Sequence, residues 1–368
     1  MSDSELQQEW RLPINVIVST LAKLRGKSIA RCSPVSSTWL AASQDPQLSR
    51  KLRIERNWHS IKTTPPLKIN FHCRPITSTA LAKDRVAVGG DNWLKVWDLE
   101  AGEWRVSCQG VSDGICPCLA FTEGGWLVRV SNQDHGSYIT GWKADEAFRS
   151  FYFRAHPKPL QAIVGVGENM IASGGYGEDV ILWKLDHLTN VDPMVGAEEN
   201  VALPCEAVFE GHFKPVHCLT ATHDGRYLLS KALDGTIRVW NIHTKTCENI
   251  LQGYSSSFVL SVAAYGDQLA SCYNLKVRLW KFLEPSSKCV QTFEGLEGGI
   301  SILWFDQDRV VTLDVEDGRL CVWDVESGGR VGGVQFPREG FDFSVWCSSE
   351  RMVVVGRSWM CVWNFDYV

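Results

Sequence analysis

One part of the chain contains a serine, a histidine and an aspartate, the residue types of a catalytic triad. They are Ser230, His212 and Asp234. Such a triad activates the serine hydroxyl for attack on an acyl carbon and would indicate a hydrolase. The alternative is structural, because a histidine and a carboxylate are each costly to bury alone and pair when both are buried. We favour the structural interpretation for these residues, together with the nearby Trp240.

Other chemistry finds little support in the sequence. The 13 cysteines of the 368-residue chain are scattered, only Cys116 and Cys118 are close, and no pair has zinc-site spacing. Disulfide frameworks are typical of small secreted domains, so we expect reduced, mostly buried cysteines in a cytoplasmic or nuclear protein. No glycine-rich phosphate-binding loop precedes a helix. We expect no metal and no cofactor.

The overall charge disfavours polyanionic partners. The formal net charge is −5 and the isoelectric point is about 6.0, without the basic patch that nucleic acid binding requires. The chain begins with a polar stretch, and it lacks a run of the roughly 18 apolar residues that a membrane-spanning helix needs. We therefore expect neither nucleic-acid nor membrane association.

A recurring tryptophan provides the framework that would position these residues. It ends seven short, strand-like apolar segments, at intervals of 45, 41, 57, 40, 43 and 40 residues. The seven positions are Trp97, Trp142, Trp183, Trp240, Trp280, Trp323 and Trp363. A period of about 40 residues with this ending is typical of a four-stranded unit repeated around an axis. We therefore predict an all-β propeller with seven blades.

The segment from Glu210 to Asn241 resembles a WD repeat, on Gly211-His212, Asp234-Gly235-Thr236-Ile237 and Val239-Trp240. The resemblance implies a seven-bladed WD-repeat propeller over residues 67–368. It also implies a buried hydrogen-bond chain of four side chains: His212, Ser230, Asp234 and Trp240. The third repeat keeps a histidine, His156.

Two irregularities in the repeats carry predictions. The last repeat stops soon after its third strand, and the strand-like segment Leu67–Cys73 precedes the first repeat. We predict that this segment supplies the missing strand and closes the ring, which removes an open sheet edge.

The 57-residue interval indicates an insertion at about Asp186–Cys205, between two strands of one blade. We interpret it as a surface loop, with a docking or regulatory loop as the alternative.

Residues 8–56 do not share the repeat and predict a small all-α module, followed by a linker at 57–66. Apolar residues fall at helical spacing between Pro13 and Leu24, and Ser33-Pro34 and Asp45-Pro46 each predict the start of a helix. The module resembles an F-box, from Leu12-Pro13 through the segment PVSSTW at 34–39 to Leu48. The alternative is an ordinary helical cap on the propeller.

The F-box resemblance implies a Skp-family adaptor as partner and, through it, a cullin–RING ubiquitin ligase. The side chains that would contact the adaptor are Leu12, Pro13, Ile14, Ile17, Leu21, Val35 and Trp39. A module of this size cannot bury all of its apolar residues alone, so a helix-packing partner is physically reasonable.

Three loops that lead into the first strand of a blade read alike, with a histidine, a cation and a proline at the same places. They are His72–Pro75, His156–Pro159 and His212–Pro215. In WD repeats these loops lie on a face that commonly binds partners, so converging cations there would suit an acidic or phosphorylated peptide. The candidate substrate-binding residues are Arg74, Lys158, Lys214, Lys231, Arg338 and Arg357. The alternative is that these cations serve solubility alone.

These features favour a non-catalytic substrate-recognition subunit of a Skp–cullin–F-box ubiquitin ligase, whose propeller holds a protein substrate, phosphorylated or not. The alternative is a WD-repeat interaction scaffold without a role in ubiquitin transfer. An enzyme is the least supported hypothesis, because no other group of histidine, cysteine and carboxylate remains once the structural set is removed.

Overall fold

A computed structural model describes the chain in segments between residues 66 and 365. The described segments are 66–70, 76–82, 84–90, 93–109, 118–143, 150–185, 205–252, 262–273, 276–283, 289–293, 300–314, 317–336, 344–347, 350–356 and 359–365. The predicted helical module at 8–56 and its seven candidate adaptor-binding residues lie outside these segments. The chain divides into two compact units, Lys68–Trp346 with Val353–Cys361, and Met1–Leu67 with Cys347–Met352 and Val362–Val368.

Within the described segments, 28 strands form seven four-stranded sheets, as the tryptophan period predicts, and we number these blades 1 to 7. Blade 1 contains β2 (Ser78–Leu81), β3 (Arg85–Gly90), β4 (Trp93–Asp98) and β5 (Glu103–Gln109). Blade 2 contains β6 (Leu119–Phe121), β7 (Trp126–Gln133), β8 (Gly136–Lys143) and β9 (Ser150–His156). Blade 3 contains β10 (Leu160–Val166), β11 (Met170–Gly175), β12 (Val180–Lys184) and β13 (Cys205–Phe209). Blade 4 contains β14 (Val216–Ala221), β15 (Tyr227–Ala232), β16 (Ile237–Asn241) and β17 (Thr246–Leu251). Blade 5 contains β18 (Val262–Tyr265), β19 (Gln268–Tyr273), β20 (Lys276–Lys281) and β21 (Cys289–Phe293). Blade 6 contains β22 (Ile300–Phe305), β23 (Arg309–Asp314), β24 (Arg319–Asp324) and β25 (Arg330–Gln335).

Blade 7 combines the two ends of the repeat region. Its sheet order is β1 (Leu67–Asn70), β28 (Trp359–Asn364), β27 (Arg351–Val355) and β26 (Ser344–Cys347). The prediction that the segment at Leu67 supplies the missing strand is therefore confirmed. Within the larger unit, Thr79 of blade 1 also donates a hydrogen bond to the Ser344 hydroxyl of blade 7.

Each repeat tryptophan lies in the third strand of its blade. In blades 1, 3, 4, 5 and 6 a register shift falls at this tryptophan where the third strand pairs with the fourth. Their burial differs: Trp183, Trp240, Trp323 and Trp363 are buried, whereas Trp97, Trp142 and Trp280 are only partly buried. The tryptophans thus mark equivalent positions, but they do not pack equally.

Apolar side chains form cores between adjacent blades. Between blades 3 and 4, for example, Val180, Leu182 and Phe209 pack with Leu228 and Trp240. Middle strands are covered on both faces, so every residue of β15 is buried, whereas the outer strand β17 is mostly exposed. The predicted insertion also falls where expected, because β12 ends at Lys184 and β13 begins at Cys205. Residues 186–204 lie outside the described segments.

Candidate functional site

The four residues singled out in the fourth repeat do form a hydrogen-bond chain. His212 Nδ1 lies 2.7 Å from Asp234 Oδ2, and His212 Nε2 lies 2.8 Å from Ser230 Oγ. Trp240 Nε1 donates to the same serine oxygen at 2.7 Å. The turn that carries Asp234 is also closed by Thr236, whose backbone N–H and hydroxyl donate to Asp234 Oδ1 at 2.8 and 2.7 Å.

The protonation of this chain follows from its partners. The carboxylate accepts the Nδ1 proton, so Nε2 of the neutral imidazole accepts the Ser230 hydroxyl proton. Burial lowers the pKa of His212, against the opposing effect of Asp234. Burial raises the pKa of Asp234, but hydrogen bonds from Thr236 and His212 outweigh it and lower that pKa overall. Ser230 is 0% exposed, so no substrate can reach its hydroxyl, and the group stabilises the fold.

The same chain is present in part in other blades. Bonds in the described segments in which a serine or threonine accepts the tryptophan N–H, at 2.7 to 2.9 Å, include Ser173–Trp183, Ser230–Trp240, Ser271–Trp280 and Thr312–Trp323. The strand register places Val88 at this position in blade 1 and Arg129 in blade 2. The buried Arg129 instead donates to Gly90 O at 3.2 Å and so joins blade 2 to blade 1.

Blade 3 has the histidine but lacks the aspartate. His156 Nε2 lies 2.9 Å from Ser173 Oγ, but Gly177 stands where blade 4 has Asp234. Burial lowers the pKa of His156 from 6.5 to about 4, with no carboxylate to oppose that effect. The next residue, Glu178, has φ 72°, and Gly235 at the equivalent position in blade 4 has φ 82°.

Two of the predicted cations lie in loops at the same end of neighbouring blades. Lys158 is in the loop between β9 and β10, and Lys214 is in the loop between β13 and β14. The turns that precede β12 and β16 reach the same end, because Tyr176 N donates to Pro159 O at 3.0 Å and Leu233 N to Pro215 O at 2.9 Å. We call this surface, formed by residues 157–159, 176–179, 210–215 and 233–236, the Lys158–Lys214 face.

Side chains of the preceding blade hold the Lys158 loop. The Leu160 N–H donates to Ser137 Oγ at 2.8 Å and to Asn132 Oδ1 at 3.1 Å. Asn132 Nδ2 donates to Leu160 O at 2.9 Å, and the Ser137 hydroxyl lies 3.0 Å from Lys158 O. In the Lys214 loop, the Phe213 N–H lies 3.4 Å from Asp234 Oδ2, next to the bond from His212. Both loops are therefore fixed before any ligand binds.

The most exposed large apolar side chains of this face are aromatic. Phe213 is 64% exposed and Tyr176 is 47% exposed. The sequence did not predict either residue as a binding residue, because a strand pattern does not show which turn residues reach solvent. One feature of the sequence could have indicated these residues as binding candidates. Tyr176 is an aromatic residue in a turn, and Phe213 is one in a loop with the histidine, cation and proline pattern.

The charges of this face are mixed. Burial raises the pKa of Asp179, and the neighbouring carboxylates of Glu210 and Glu178 raise it further, while Lys158 opposes them. Lys158 therefore already has anionic neighbours. The sequence suggests cations that converge on this face, but the loops also place carboxylates there.

The other predicted substrate-binding residues are placed differently. Lys231 lies in β15, is 7% exposed, and pairs in register with Cys218. Burial lowers the pKa of its amine. Arg74, Arg338 and Arg357 lie outside the described segments. Lys158 and Lys214 thus lie in loops at the same end of blades 3 and 4, and Lys231 lies in the second strand of blade 4.

Within the described segments, no three His, Cys, Asp or Glu side chains are grouped so that they could hold a metal ion. The same segments contain no helix long and apolar enough to cross a membrane.

Comparison with known proteins identifies the repeat. Residues 203–241 match the family "WD domain, G-beta repeat". The chain is 26% identical over 269 residues to Telomerase protein component 1 of Rattus norvegicus, covering 69% of this chain and 10% of that protein. It is 35% identical over 103 residues to Target of rapamycin complex subunit LST8 of Saccharomyces cerevisiae, covering 27% of this chain and 34% of the relative. It is 29% identical over 146 residues to F-box/WD repeat-containing protein sel-10 of Caenorhabditis elegans, covering 38% of this chain and 24% of the relative.

The chain thus spans a tenth to about a third of the length of these relatives. The matched segment contains the complete hydrogen-bond chain of blade 4. The bond from the tryptophan to a serine or threonine recurs in blades 3, 5 and 6, and all seven sheets have four strands within the described segments. The chain is a WD40-repeat β-propeller protein.

Proposed function

We propose that this protein is a non-catalytic interaction scaffold that binds a partner protein on the Lys158–Lys214 face. The observation that carries the proposal is the pair of exposed aromatic side chains, Phe213 and Tyr176, on loops already fixed by hydrogen bonds. Aromatic residues are enriched among the side chains that dominate binding energy. Fixed loops lose little conformational entropy on binding. WD40 propellers are usually non-catalytic, and the triad-like group of Ser230, His212 and Asp234 has a fully buried serine.

The mixed charges narrow the kind of partner. Glu178, Glu210 and Lys158 all lie near Asp179, so a purely acidic segment would meet repulsion as well as attraction. A segment with an apolar anchor for the aromatic side chains and charges of both signs fits better. Phosphorylation of the partner is not required by this arrangement.

A photo-crosslinking experiment tests the proposal. We expect benzoylphenylalanine at position 213 or 176 to capture the same protein from cells, because both side chains face the bound partner. The matched control is the half-exposed Val290 on the outer strand β21, which should not capture it. With the purified partner, Phe213→Ala should weaken binding at least about tenfold. Capture from all three positions, or unchanged affinity, would contradict the proposal.

A second candidate function is the substrate-recognition subunit of a Skp–cullin–F-box ubiquitin ligase. Its support is the F-box resemblance of residues 10–55 together with the likeness to an F-box/WD repeat-containing protein. In this role the helical module would bind the Skp-family adaptor, and the propeller would hold a substrate close to the ubiquitin-loaded enzyme.

Co-purification with a Skp-family adaptor tests this role. We expect the full chain to retain the adaptor and the double substitution Leu12→Ala and Pro13→Ala to lose it, since these residues start the predicted adaptor-binding helix. Lys214→Ala, on the propeller, serves as the control and should retain the adaptor. If the unmodified chain does not bind, the ligase role is wrong, whereas the scaffold function stands.

A further inference from the structure

A cleft lies between blades 3 and 4, at the end of the strands opposite to the Lys158–Lys214 face. Its walls are the turns after β10, β14 and β16, together with Lys184 at the end of β12 and Glu206 at the start of β13. Its volume is about 750 Å³, within the range typical of ligand-binding clefts. Nothing in the proposed function uses this cleft.

Backbone hydrogen bonds fix the cleft walls. The Leu185 N–H donates to Asn169 O at 2.7 Å, and the Ile242 N–H donates to Arg226 O at 3.0 Å. Asn241 Oδ1 accepts the N–H groups of His243 and Thr244 at 3.0 and 3.1 Å, which holds the turn after β16. The cleft is therefore formed in the free protein and needs no rearrangement to accept a ligand.

A lysine in an unfavourable backbone conformation stands at the cleft. Lys245 has φ 59°, the region that Gly102 and Gly328 occupy at the equivalent turns of blades 1 and 6. A side chain in this region carries a steric cost that glycine avoids. The Lys245 Nζ lies 2.5 Å from Glu206 Oε1 and donates to Glu206 O at 2.9 Å, and this pairing across the two blades offsets part of that cost.

Cations outnumber carboxylates around the cleft. Three cationic side chains (Lys184, Arg226 and Lys245) face two carboxylates (Glu168 and Glu206), with His243 in addition. A hydrogen bond from Lys245 and the charges of Lys245 and Lys184 lower the pKa of Glu206. Glu206 thus lies between two lysines, and the exposed guanidinium of Arg226 adds to the positive side of a chain whose net charge is −5.

The floor of the cleft is apolar. Met170, half-buried, and Ile242, buried, line it below the charged side chains. Methionine adapts its shape to varied apolar partners. An occupant must therefore present an anionic group to the rim and an apolar group to the floor.

We propose that this cleft binds an acidic segment of a partner protein in which carboxylate and aliphatic side chains alternate. A carboxylate would meet the planar guanidinium of Arg226, which matches it in a two-bond geometry, while an aliphatic side chain packs on Met170 and Ile242. This inference does not depend on the proposed function. With a site at each end of the blades, the scaffold would hold two partners at once.

Binding of a synthetic probe tests this site. The probe is a short fluorescein-labelled peptide of alternating glutamate and leucine, with matched peptides in which glutamine or lysine replaces glutamate. The protein carries amide replacements of the four acidic residues at positions 186, 192, 198 and 199, so that its own carboxylates do not compete. By fluorescence anisotropy at low salt, we expect the glutamate peptide to bind, Arg226→Glu to weaken it at least about tenfold, and Lys214→Glu to change it by less than about twofold.

Methyl NMR locates the bound probe independently. The chain has five methionines, and Met170→Leu identifies the signal of the one in the cleft. The Met170 methyl signal should shift on titration, while the signals of the buried Met352 and Met360 should not. Equal binding of the glutamine peptide, affinity unaffected by Arg226→Glu, loss of binding with Lys214→Glu, or a Met170 signal that does not move would each overturn the proposal.

Discussion

Trp240→Ala is expected to lower the free energy of unfolding by about 4 kcal/mol. The indole is 2% exposed and packs at 5.2 Å, between ring centroids, on Phe209 of the preceding blade. Its removal leaves a cavity in the core between blades 3 and 4. It also removes the N–H that donates to Ser230 at 2.7 Å, so the buried chain to His212 and Asp234 loses one end. Urea unfolding followed by circular dichroism measures the change.

The same substitution in blade 1 is the matched control. Trp97 occupies the equivalent position, but it is only partly buried, has Val88 where blade 4 has Ser230, and packs edge-on against Trp104 at 5.0 Å. Trp97→Ala should therefore cost about 2 kcal/mol. If both substitutions had the same cost, neither the hydrogen-bond chain nor the deeper burial would distinguish the repeats.

The period of the tryptophans was sufficient to predict the number of blades, because each repeat folds into the same local unit. The closing strand at Leu67 followed from the same logic, since a blade that lacks its outer strand leaves an open sheet edge. The four-residue chain of blade 4 was implied by the WD-repeat resemblance, and its pairing of histidine with aspartate also follows from the cost of burying either group alone. The blade unit and the four-residue chain depend on neighbours within one repeat, whereas the closing strand depends on the missing strand of the last blade.

The binding surfaces were less predictable, because they depend on contacts between blades. The sequence suggests that Lys231 lies on or near the partner-binding face, yet it lies in a strand covered on both faces. In such a strand, alternation of polar and apolar residues does not show which side chains are buried. The exposure of Phe213 and the cleft at Arg226 both arise where two blades meet. Glu178 and Lys245 are further examples, since both adopt φ values that the sequence would assign to glycine.

Blade 3 should lose stability in acid because of His156. Burial lowers the pKa of this histidine from 6.5 to about 4, so between these values the unfolded chain binds more protons than the folded one. The contribution is therefore complete above pH 6.5 and is lost as pH falls towards about 4. It amounts to roughly 3 kcal/mol. We expect this part of the acid destabilisation, measured by urea unfolding at pH 7 and pH 4, to be absent in His156→Gln.

Comparison between variants is essential, because another group acts in the opposite direction. Burial raises the pKa of Asp306 to about 6, against opposing effects of Arg309 and of hydrogen bonds from the backbone. The folded chain therefore holds an extra proton on Asp306 at acidic pH, and this contribution is lost as pH rises through about 6. The Asp306 contribution partly masks the effect of His156 in the unmodified protein. It cancels in the difference in stability between the unmodified protein and His156→Gln.

Gly177→Asp should restore the missing member of the chain and reduce the acid sensitivity. A Cβ at this position would lie 3.8 Å from His156 Nδ1, an ordinary contact, so the carboxylate can accept the Nδ1 proton as Asp234 does in blade 4. It would then stabilise the protonated imidazole and raise the pKa of His156 by at least about one unit, which the pH dependence of its NMR signal would show. Gly177→Ala adds the Cβ without the charge and should leave that pKa unchanged. An equal shift in both variants would mean that packing, rather than the missing carboxylate, controls the protonation of His156.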